Sequence, residues 1–287
     1  MPESQEYRSI TVKPMAGAIG AEVGGVNLSR EQPPAVWDEI HRAFLDHLVI
    51  AFRDQSLTPQ QQIDLAARFG KPTIYPFIQG LDDAPEVIEI LKTEKDQDNF
   101  GGSWHSDTTY MEHPALGSVL YAKETPAAGG DTMFANMYCA YESLSDGMRA
   151  SLDGLHALNS SAQNYRGGRA AKMKKLAGMK NSYKVNSDVL EAVHPVVRTH
   201  PVTGRKALYL NGSHTLRFRG MTEEESKPLI DFLAKHAVRP EFTCRLRWEP
   251  RTIAIWDNRC AQHYALNDYP GQRRRMHRVT IEGDRPC

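Results

Sequence analysis

Residues 252–283 read TIAIWDNRCAQHYALNDYPGQRRRMHRVTIEG, and this segment decides the fold. Its two ends, TIAIWDN (252–258) and MHRVTIEG (276–283), are short runs of β-branched and aromatic residues separated by turn residues, which is typical of strands. A third run of this kind, FTCRLRWEP (242–250), comes just before them. Many short strands with few helices between them predict a mainly β protein, built as a β-sandwich or jelly roll decorated by inserted helices.

The rest of the chain continues this pattern. Further strand-like runs are ITVKPM (10–15), LVIAF (48–52), EVIEIL (86–91), GSVLYAKE (117–124), HPVVRTHP (194–201) and KALYLN (206–211). Apolar periodicity and capping residues predict helices over 35–47, 58–70 with Thr58 as N-cap, 137–155, and 222–237 with Thr222 as N-cap. The basic stretch RGGRAAKMKKLAG (166–178) is predicted to be helical or disordered.

Composition excludes several classes of protein. The 287 residues, 40% of them hydrophobic, are enough for one large domain over 1–287. Basic and acidic residues balance at 35 each, so we expect small molecules or copies of the chain as partners, not nucleic acid or an anionic membrane. Four scattered cysteines, no leader segment and no apolar run of about 20 residues predict a cytoplasmic protein without a membrane span.

The stretch GGSWHSDTTY (101–110) places His105 and Asp107 two positions apart. This pair alone fits a metal chelate, half of an acid/base pair, or a turn. On an extended segment the two side chains point to the same face, so both could reach one ion. By contrast, GAIGAEVGG (17–25) lacks the GxGxxG order of a nucleotide-binding loop and is predicted to be a strand flanked by turns.

Two arginines near the C-terminus are a second candidate site. Arg274 and Arg278 lie four residues apart in the last predicted strand, so their side chains share a face. Two cations that face one interior are costly unless anions bind there. The pair therefore indicates binding of anionic ligands.

Four blocks of sequence are similar to one known family. WHSDTTY (104–110), GGDTMFANMYCAYESLS (129–145), HPVVRTHPVTGRKALYLN (194–211) and residues 256–284 resemble the TauD/TfdA family of Fe(II)- and 2-oxoglutarate-dependent dioxygenases. The blocks occur in the family's order and the resemblance covers essentially the whole chain. It implies a double-stranded β-helix, or jelly roll, as the core, and a homo-oligomer, either a dimer or a tetramer.

The resemblance also implies a set of site residues. The family's HxD…H ligands correspond to His105, Asp107 and His263, a facial triad that leaves three coordination positions for 2-oxoglutarate and dioxygen. Arg274 corresponds to the arginine that holds the distal carboxylate of 2-oxoglutarate, and Thr132 to a hydroxyl donor beside it. The implied reaction converts 2-oxoglutarate to succinate and carbon dioxide and hydroxylates a C–H bond of a second substrate.

The second substrate is expected to be a small organic anion. Arg278 corresponds to the family's substrate-anion position, but Tyr75 stands where the taurine-oxidising members have a histidine. A phenol carries no positive charge at neutral pH, so we expect an alkyl sulfonate, a sulfate ester or an aryloxyalkanoate in place of taurine. Alternatives are a non-catalytic jelly roll that binds an anion, a zinc enzyme with the same ligands, or desaturation; the presence of Asp107 argues against chlorination.

Overall fold

The computed structural model describes residues 6–162 and 189–287; the basic stretch 166–178 lies outside this range. The strands are β1 Thr11–Pro14, β2 Ala21–Gly24, β3 Val49–Phe52, β4 Pro72–Thr73, β5 Gly80–Leu81, β6 Ala84–Lys92, β7 Gly117–Glu124, β8 Thr132–Asn136, β9 His156–Ser160, β10 Glu191–Pro195, β11 Val197–Thr199, β12 Lys206–Leu208, β13 Thr215–Phe218, β14 Thr243–Leu246, β15 Ile253–Asp257, β16 Ala261–Ala265 and β17 Arg274–Ile281. The helices are α1 Pro34–His47, α2 Pro59–Ala67, α3 Met137–Glu142, α4 Asp146–Leu152 and α5 Glu223–Ala237.

Two antiparallel sheets carry the site. The large sheet has the order β1-β2-β3-β15-β7-β17-β6-β5, with β4 added beside β17, and only its β2–β3 pair is parallel. The small sheet has the order β14-β8-β16. This arrangement confirms the predicted jelly-roll core, and the glycine-rich segment 17–25 forms a strand, as predicted.

Side chains of the large sheet alternate between two hydrophobic layers. On β17, Met276 belongs to the core shared with the small sheet, whereas Val279 and Ile281 pack in the core shared with α1 and α2. The same alternation separates Leu120 from Val119 on β7. Because side chains alternate along a strand, the even-numbered positions of β17 face the small sheet.

The predicted helix caps are confirmed. Thr58 Oγ1 accepts a hydrogen bond from the Gln61 backbone N–H (3.2 Å), and the Gln61 side chain accepts one from the Thr58 N–H (2.9 Å). Thr222 and Glu225 form the same capping box at the start of α5. Each box satisfies backbone donors that the first helical turn leaves without a partner.

Two sequence-based boundaries were wrong. The helix predicted over 137–155 is two helices, α3 and α4, because Ser143 ends the first and the Ser145 side chain caps the second by accepting from Met148 N–H at 3.3 Å. The run 194–201 contributes to two separate strands, β10 and β11, which pair in different sheets. In the part of the chain that the structure describes, no helix is both long and apolar enough to cross a membrane.

Candidate active site

The small sheet brings the two distant histidines together. His105 forms an isolated antiparallel bridge with His263 on β16: the His105 N–H donates to the His263 carbonyl at 3.1 Å, and the His263 N–H donates back at 2.8 Å. The two imidazole rings are 4.2 Å apart between centroids. Backbone pairing therefore sets the distance between side chains that are far apart in sequence.

Asp107 completes a buried cluster with these histidines. Its Oδ1 lies 3.7 Å from His105 Nε2 and 3.9 Å from His263 Nε2, and one potential ligand atom from each residue lies within 4.8 Å of the other two. All three residues are less than 9% exposed. These distances are too long for hydrogen bonds, but they place three potential metal-ligand atoms around a shared point.

The tautomer of His105 suits metal binding. Its Nδ1 lies 2.7 Å from the Ser103 carbonyl, which can only accept, so the ring proton is on Nδ1 and the lone pair is on Nε2. His263 packs against the Trp256 ring, at 4.8 Å between centroids. Burial lowers the pKa of His263 to about 3, with His105 and then Arg278 adding to the effect against Asp107, so the His263 ring is neutral.

The carboxylate of Asp107 is held ionised. Burial alone would raise its pKa, but the Arg278 charge, with a hydrogen bond from Asn258, outweighs burial and lowers the pKa below its usual range. Arg278 Nη1 lies 3.4 Å from Oδ1. Ser118 Oγ and Asn258 Nδ2 donate to Oδ2 at 3.2 and 3.3 Å.

Arg278 is buried beside this cluster. Its guanidinium carbon lies 4.6 Å from the centroid of the Tyr75 ring and 5.5 Å from that of Phe100. The side chain is only 3% exposed, and Nε and Nη2 have no hydrogen-bond partner among the described residues. Tyr75 thus lies next to Arg278, and the contact is through the ring face.

Arg274 occupies the other end of the same strand face. Its Nε and Nη2 also have no hydrogen-bond partner within 6–162 and 189–287, and the residue is 6% exposed. Burial lowers the pKa of Arg274 from its ordinary value, with Tyr269 and then Asp131 opposing the shift. Buried donors that the protein does not satisfy indicate a binding site for an anion.

Trp248 connects Arg274 with Thr132. The Trp248 indole Nε1–H donates to Thr132 Oγ1 at 2.9 Å, and the Arg274 guanidinium lies 5.8 Å from the Trp248 ring centroid. Because the indole can only donate, Thr132 acts as acceptor here and keeps its own hydroxyl proton for another partner. The structure therefore brings the two predicted 2-oxoglutarate residues to the same indole.

Some site residues were not identified from the sequence. Asn258, Ser118, Trp248 and Phe100 all contact a predicted site residue, and nothing in their local sequence distinguishes them. Trp104 and Trp256 pack beside the proposed ligand segments: Trp104 stacks on Tyr264 at 5.8 Å between ring centroids, and Trp256 contacts the His263 ring.

A family model and individual proteins match this chain. The family described as "Taurine catabolism dioxygenase TauD, TfdA family" matches residues 11–280. An alpha-ketoglutarate-dependent sulfate ester dioxygenase of Pseudomonas putida is 38% identical over 96% of this chain and 91% of its own. An (S)-phenoxypropionate/alpha-ketoglutarate-dioxygenase of Sphingobium herbicidovorans is 33% identical over 95% of each chain.

A solved structure agrees with these sequence matches. The crystal structure of a taurine dioxygenase from Burkholderia xenovorans superposes with a TM-score of 0.80 and 36% identity, over 97% of this chain and 91% of that one. Enzymes of this family require Fe(II), 2-oxoglutarate (alpha-ketoglutarate) and dioxygen. The chain therefore belongs to the TauD/TfdA family and is a 2-oxoglutarate-dependent dioxygenase.

Proposed function

We propose that His105 Nε2, Asp107 Oδ1 and His263 Nε2 hold the Fe(II) of a dioxygenase that hydroxylates a small organic anion. Two imidazoles and one ionised carboxylate form the donor set typical of non-haem ferrous oxygenases. When bound, the iron with 2-oxoglutarate and dioxygen supplies the oxidising power for C–H hydroxylation and yields succinate and carbon dioxide. The chain's own residues supply binding, orientation and exclusion of water.

Arg274 and Thr132 are proposed to hold the distal carboxylate of 2-oxoglutarate. The buried guanidinium offers two donors that the protein leaves without a partner, and Thr132 has a hydroxyl proton to add. A planar guanidinium can bind both carboxylate oxygens at once, which a lysine cannot do. The neighbouring Arg275 has its Nε 2.5 Å from Glu89 Oε2, so it is already paired.

Arg278 is proposed to bind the anionic end of the second substrate. The observation that carries the proposed function is this second buried guanidinium with two unpartnered donors, on the same strand face as Arg274 and 3.4 Å from Asp107. The Tyr75 and Phe100 rings surround it with apolar surface. A sulfate ester, an alkyl sulfonate or an aryloxyalkanoate has the matching chemistry, an anion joined to an apolar body.

The test has two steps. Under anaerobic conditions, the purified chain with Fe(II) and 2-oxoglutarate should develop a weak visible charge-transfer band. In air, alkyl sulfonates, sulfate esters, aryloxyalkanoates and taurine should be compared for substrate-dependent succinate formation, with hydroxylated and desaturated products separated by mass spectrometry. Absence of the band, or tight binding of zinc with no turnover on added iron, would contradict the proposal.

Three finer predictions still rest on the sequence alone: one domain over 1–287, a cytoplasmic location, and a homo-oligomer. The last can be tested by size-exclusion chromatography with light scattering. Desaturation remains the alternative outcome at the same iron centre, and the product analysis above distinguishes it from hydroxylation.

A further inference from the structure

The two carboxylate oxygens of Asp107 have different surroundings. Oδ1 faces both histidine Nε2 atoms and Arg278 Nη1, whereas Oδ2 accepts hydrogen bonds from Ser118 Oγ at 3.2 Å and Asn258 Nδ2 at 3.3 Å. One oxygen therefore faces the proposed metal ligands, and the other is occupied by two neutral donors.

Asn258 is itself fixed in orientation. Its Oδ1 accepts from the Asp107 backbone N–H at 3.2 Å and from Trp256 Nε1–H at 3.1 Å. Both partners are obligatory donors, so the side-chain oxygen must point toward them and the NH₂ group must point toward the carboxylate. The backbone of Asn258 is anchored as well, because its N–H donates to the Leu116 carbonyl at 2.8 Å.

Ser118 approaches Asp107 from the large sheet. It is fully buried on β7, where it pairs with Thr280 of β17 and with Trp256 of β15. A serine in the middle of a sheet has little freedom to move away from its acceptor. The two donors to Oδ2 thus come from rigid parts of the molecule.

We propose that Asn258 and Ser118 are positioning residues that make Asp107 bind metal through Oδ1 alone. Carboxylates bind metal ions through one oxygen or through both, and the two hydrogen bonds hold Oδ2 away from the ion. Binding through one oxygen preserves a coordination position for chelating 2-oxoglutarate. This inference rests on the proposed function, because it assigns metal ligation to Asp107.

The experiment uses Ser118→Ala and Asn258→Ala in the full chain, with Ser226→Ala as matched control. Ser226 is also fully buried and hydrogen-bonded, but its partners are Thr222 and Phe218. Each protein is loaded anaerobically with Co(II), its visible d–d spectrum is recorded, and it is titrated with 2-oxoglutarate by calorimetry. Thermal unfolding without metal shows whether each variant is folded.

We expect both site variants to shift the Co(II) spectrum and to weaken 2-oxoglutarate binding by about tenfold or more, while Ser226→Ala matches wild type in both. A purely structural role would lower the unfolding temperature and leave the spectrum unchanged. Ser118→Ala removes only one oxygen atom, so it remains informative if Asn258→Ala fails to fold. Wild-type spectra and affinities in Ser118→Ala would overturn the inference, whereas a wild-type chain that binds no metal would overturn the proposed function itself.

Discussion

Within residues 6–162 and 189–287, two buried clusters of potential metal ligands are similar in residue type and in the distances between their atoms. One is His105, Asp107 and His263; the other is His200, Asp257 and Cys260, and in each the three potential ligand atoms lie within 4.8 Å of one another. All six residues are buried. Proximity alone therefore does not distinguish a metal site from a structural network.

The second cluster is saturated by hydrogen bonds. His200 Nδ1 accepts from the Val202 and Thr203 N–H groups, so its proton is on Nε2, which donates to Asp257 Oδ2 at 3.0 Å. Arg259 donates to both oxygens of Asp257, at 2.8 and 2.7 Å. A metal here would have to displace a ring proton and compete with a buried guanidinium.

The first cluster has the opposite arrangement. The proton of His105 is on Nδ1, its Nε2 lone pair lies toward Asp107, and no hydrogen bond joins Asp107 to either histidine in the described residues. The two clusters thus differ in the tautomer of their histidine, His105 or His200, and in whether hydrogen bonds already occupy the carboxylate and imidazole atoms that could bind a metal. Histidine tautomer, set by the partner of the other ring nitrogen, separates a possible ligand from a structural donor.

The largest effect is expected from removing a proposed ligand. His105→Ala, Asp107→Ala or His263→Ala each takes away one of three protein ligands, so iron-dependent turnover should fall by more than about 100-fold, the upper end of the loss from outer-shell partners. Iron titration and succinate formation measure this, and circular dichroism should show a folded protein. Wild-type turnover in any one variant would remove that residue from the ligand set.

Arg274→Ala should have the next largest effect. Losing a buried charge-assisted pair costs about 2–5 kcal/mol, so the 2-oxoglutarate requirement should rise roughly 30- to several-thousand-fold. Arg275→Ala is the matched control, since its side chain pairs with Glu89 and Glu124 and is more exposed. An unchanged requirement in Arg274→Ala would show that another residue holds the distal carboxylate.

In the second cluster, Asp257→Asn should affect stability and its dependence on pH. Burial alone would raise the pKa of Asp257, but hydrogen bonds from Arg259 and then His200, together with the Arg259 charge, lower it from 3.8 to about 2. The carboxylate therefore stabilises the fold above about pH 4, and this contribution is lost as the pH falls toward 2. Breaking the buried pair should lower the free energy of unfolding by about 3 kcal/mol at pH 7.

Urea unfolding of both proteins between pH 7 and pH 2 measures this effect. The difference between wild type and Asp257→Asn should narrow below pH 4, since the protonated carboxyl resembles the amide. A difference that stays constant with pH would show that Asp257 does not stabilise the fold through its charge.

Arg278→Ala should weaken binding of the second substrate and leave the reaction of 2-oxoglutarate largely unchanged. Losing a hydrogen bond to a charged group costs about 1.5–3 kcal/mol, so the KM for the second substrate should rise roughly 10- to 100-fold. Uncoupled 2-oxoglutarate decarboxylation should stay largely intact. Succinate formation with and without substrate measures both quantities.

Tyr75→Phe is the matched variant, because it keeps the ring that faces Arg278 and removes only the hydroxyl. Its KM should stay within about fivefold of wild type if the ring contact is what matters, since a single neutral hydrogen bond contributes about 1 kcal/mol. The substrate assignment fails if taurine proves the best substrate, or if Arg278→Ala loses affinity for both substrates together through its contact with Asp107.

Much of this site could be predicted from sequence because it depends on local patterns. Strand alternation places Arg274 and Arg278 on one face, and the structure puts that face toward the small sheet. The resemblance to a family with the HxD…H pattern pointed to His105, Asp107 and His263, and the structure brings these three together. The strand β16 that carries His263 was not predicted, since AQHYA has no apolar alternation.

Other features depend on contacts that leave no local signal. Ser118 and Asn258 reach Asp107 across 11 and 151 residues of sequence, and Trp248 reaches Thr132 across 116. The break between α3 and α4 was missed because Leu144 keeps the apolar spacing of a continuous helix, while the Ser145 cap that starts α4 is a single hydrogen bond. The tautomer of His200 is set by hydrogen bonds from two backbone N–H groups, so it cannot be predicted from the residue types in the sequence.

The smallest effect is expected from Cys260→Ala, the variant that tests the comparison between the clusters most directly. Cys260 is buried in the second cluster, where burial raises its pKa well above the ordinary value and keeps it a neutral thiol. A protonated thiol is not a metal ligand, and the nearby His200 and Asp257 are already hydrogen-bonded to each other.

Metal stoichiometry of the Cys260→Ala variant, measured by elemental analysis after iron loading, should therefore be the same as in wild type. The free energy of unfolding should fall by only about 1–2 kcal/mol, for a small cavity in the core. Loss of one bound metal per chain in this variant, with the His105 cluster intact, would show that the saturated cluster binds metal after all.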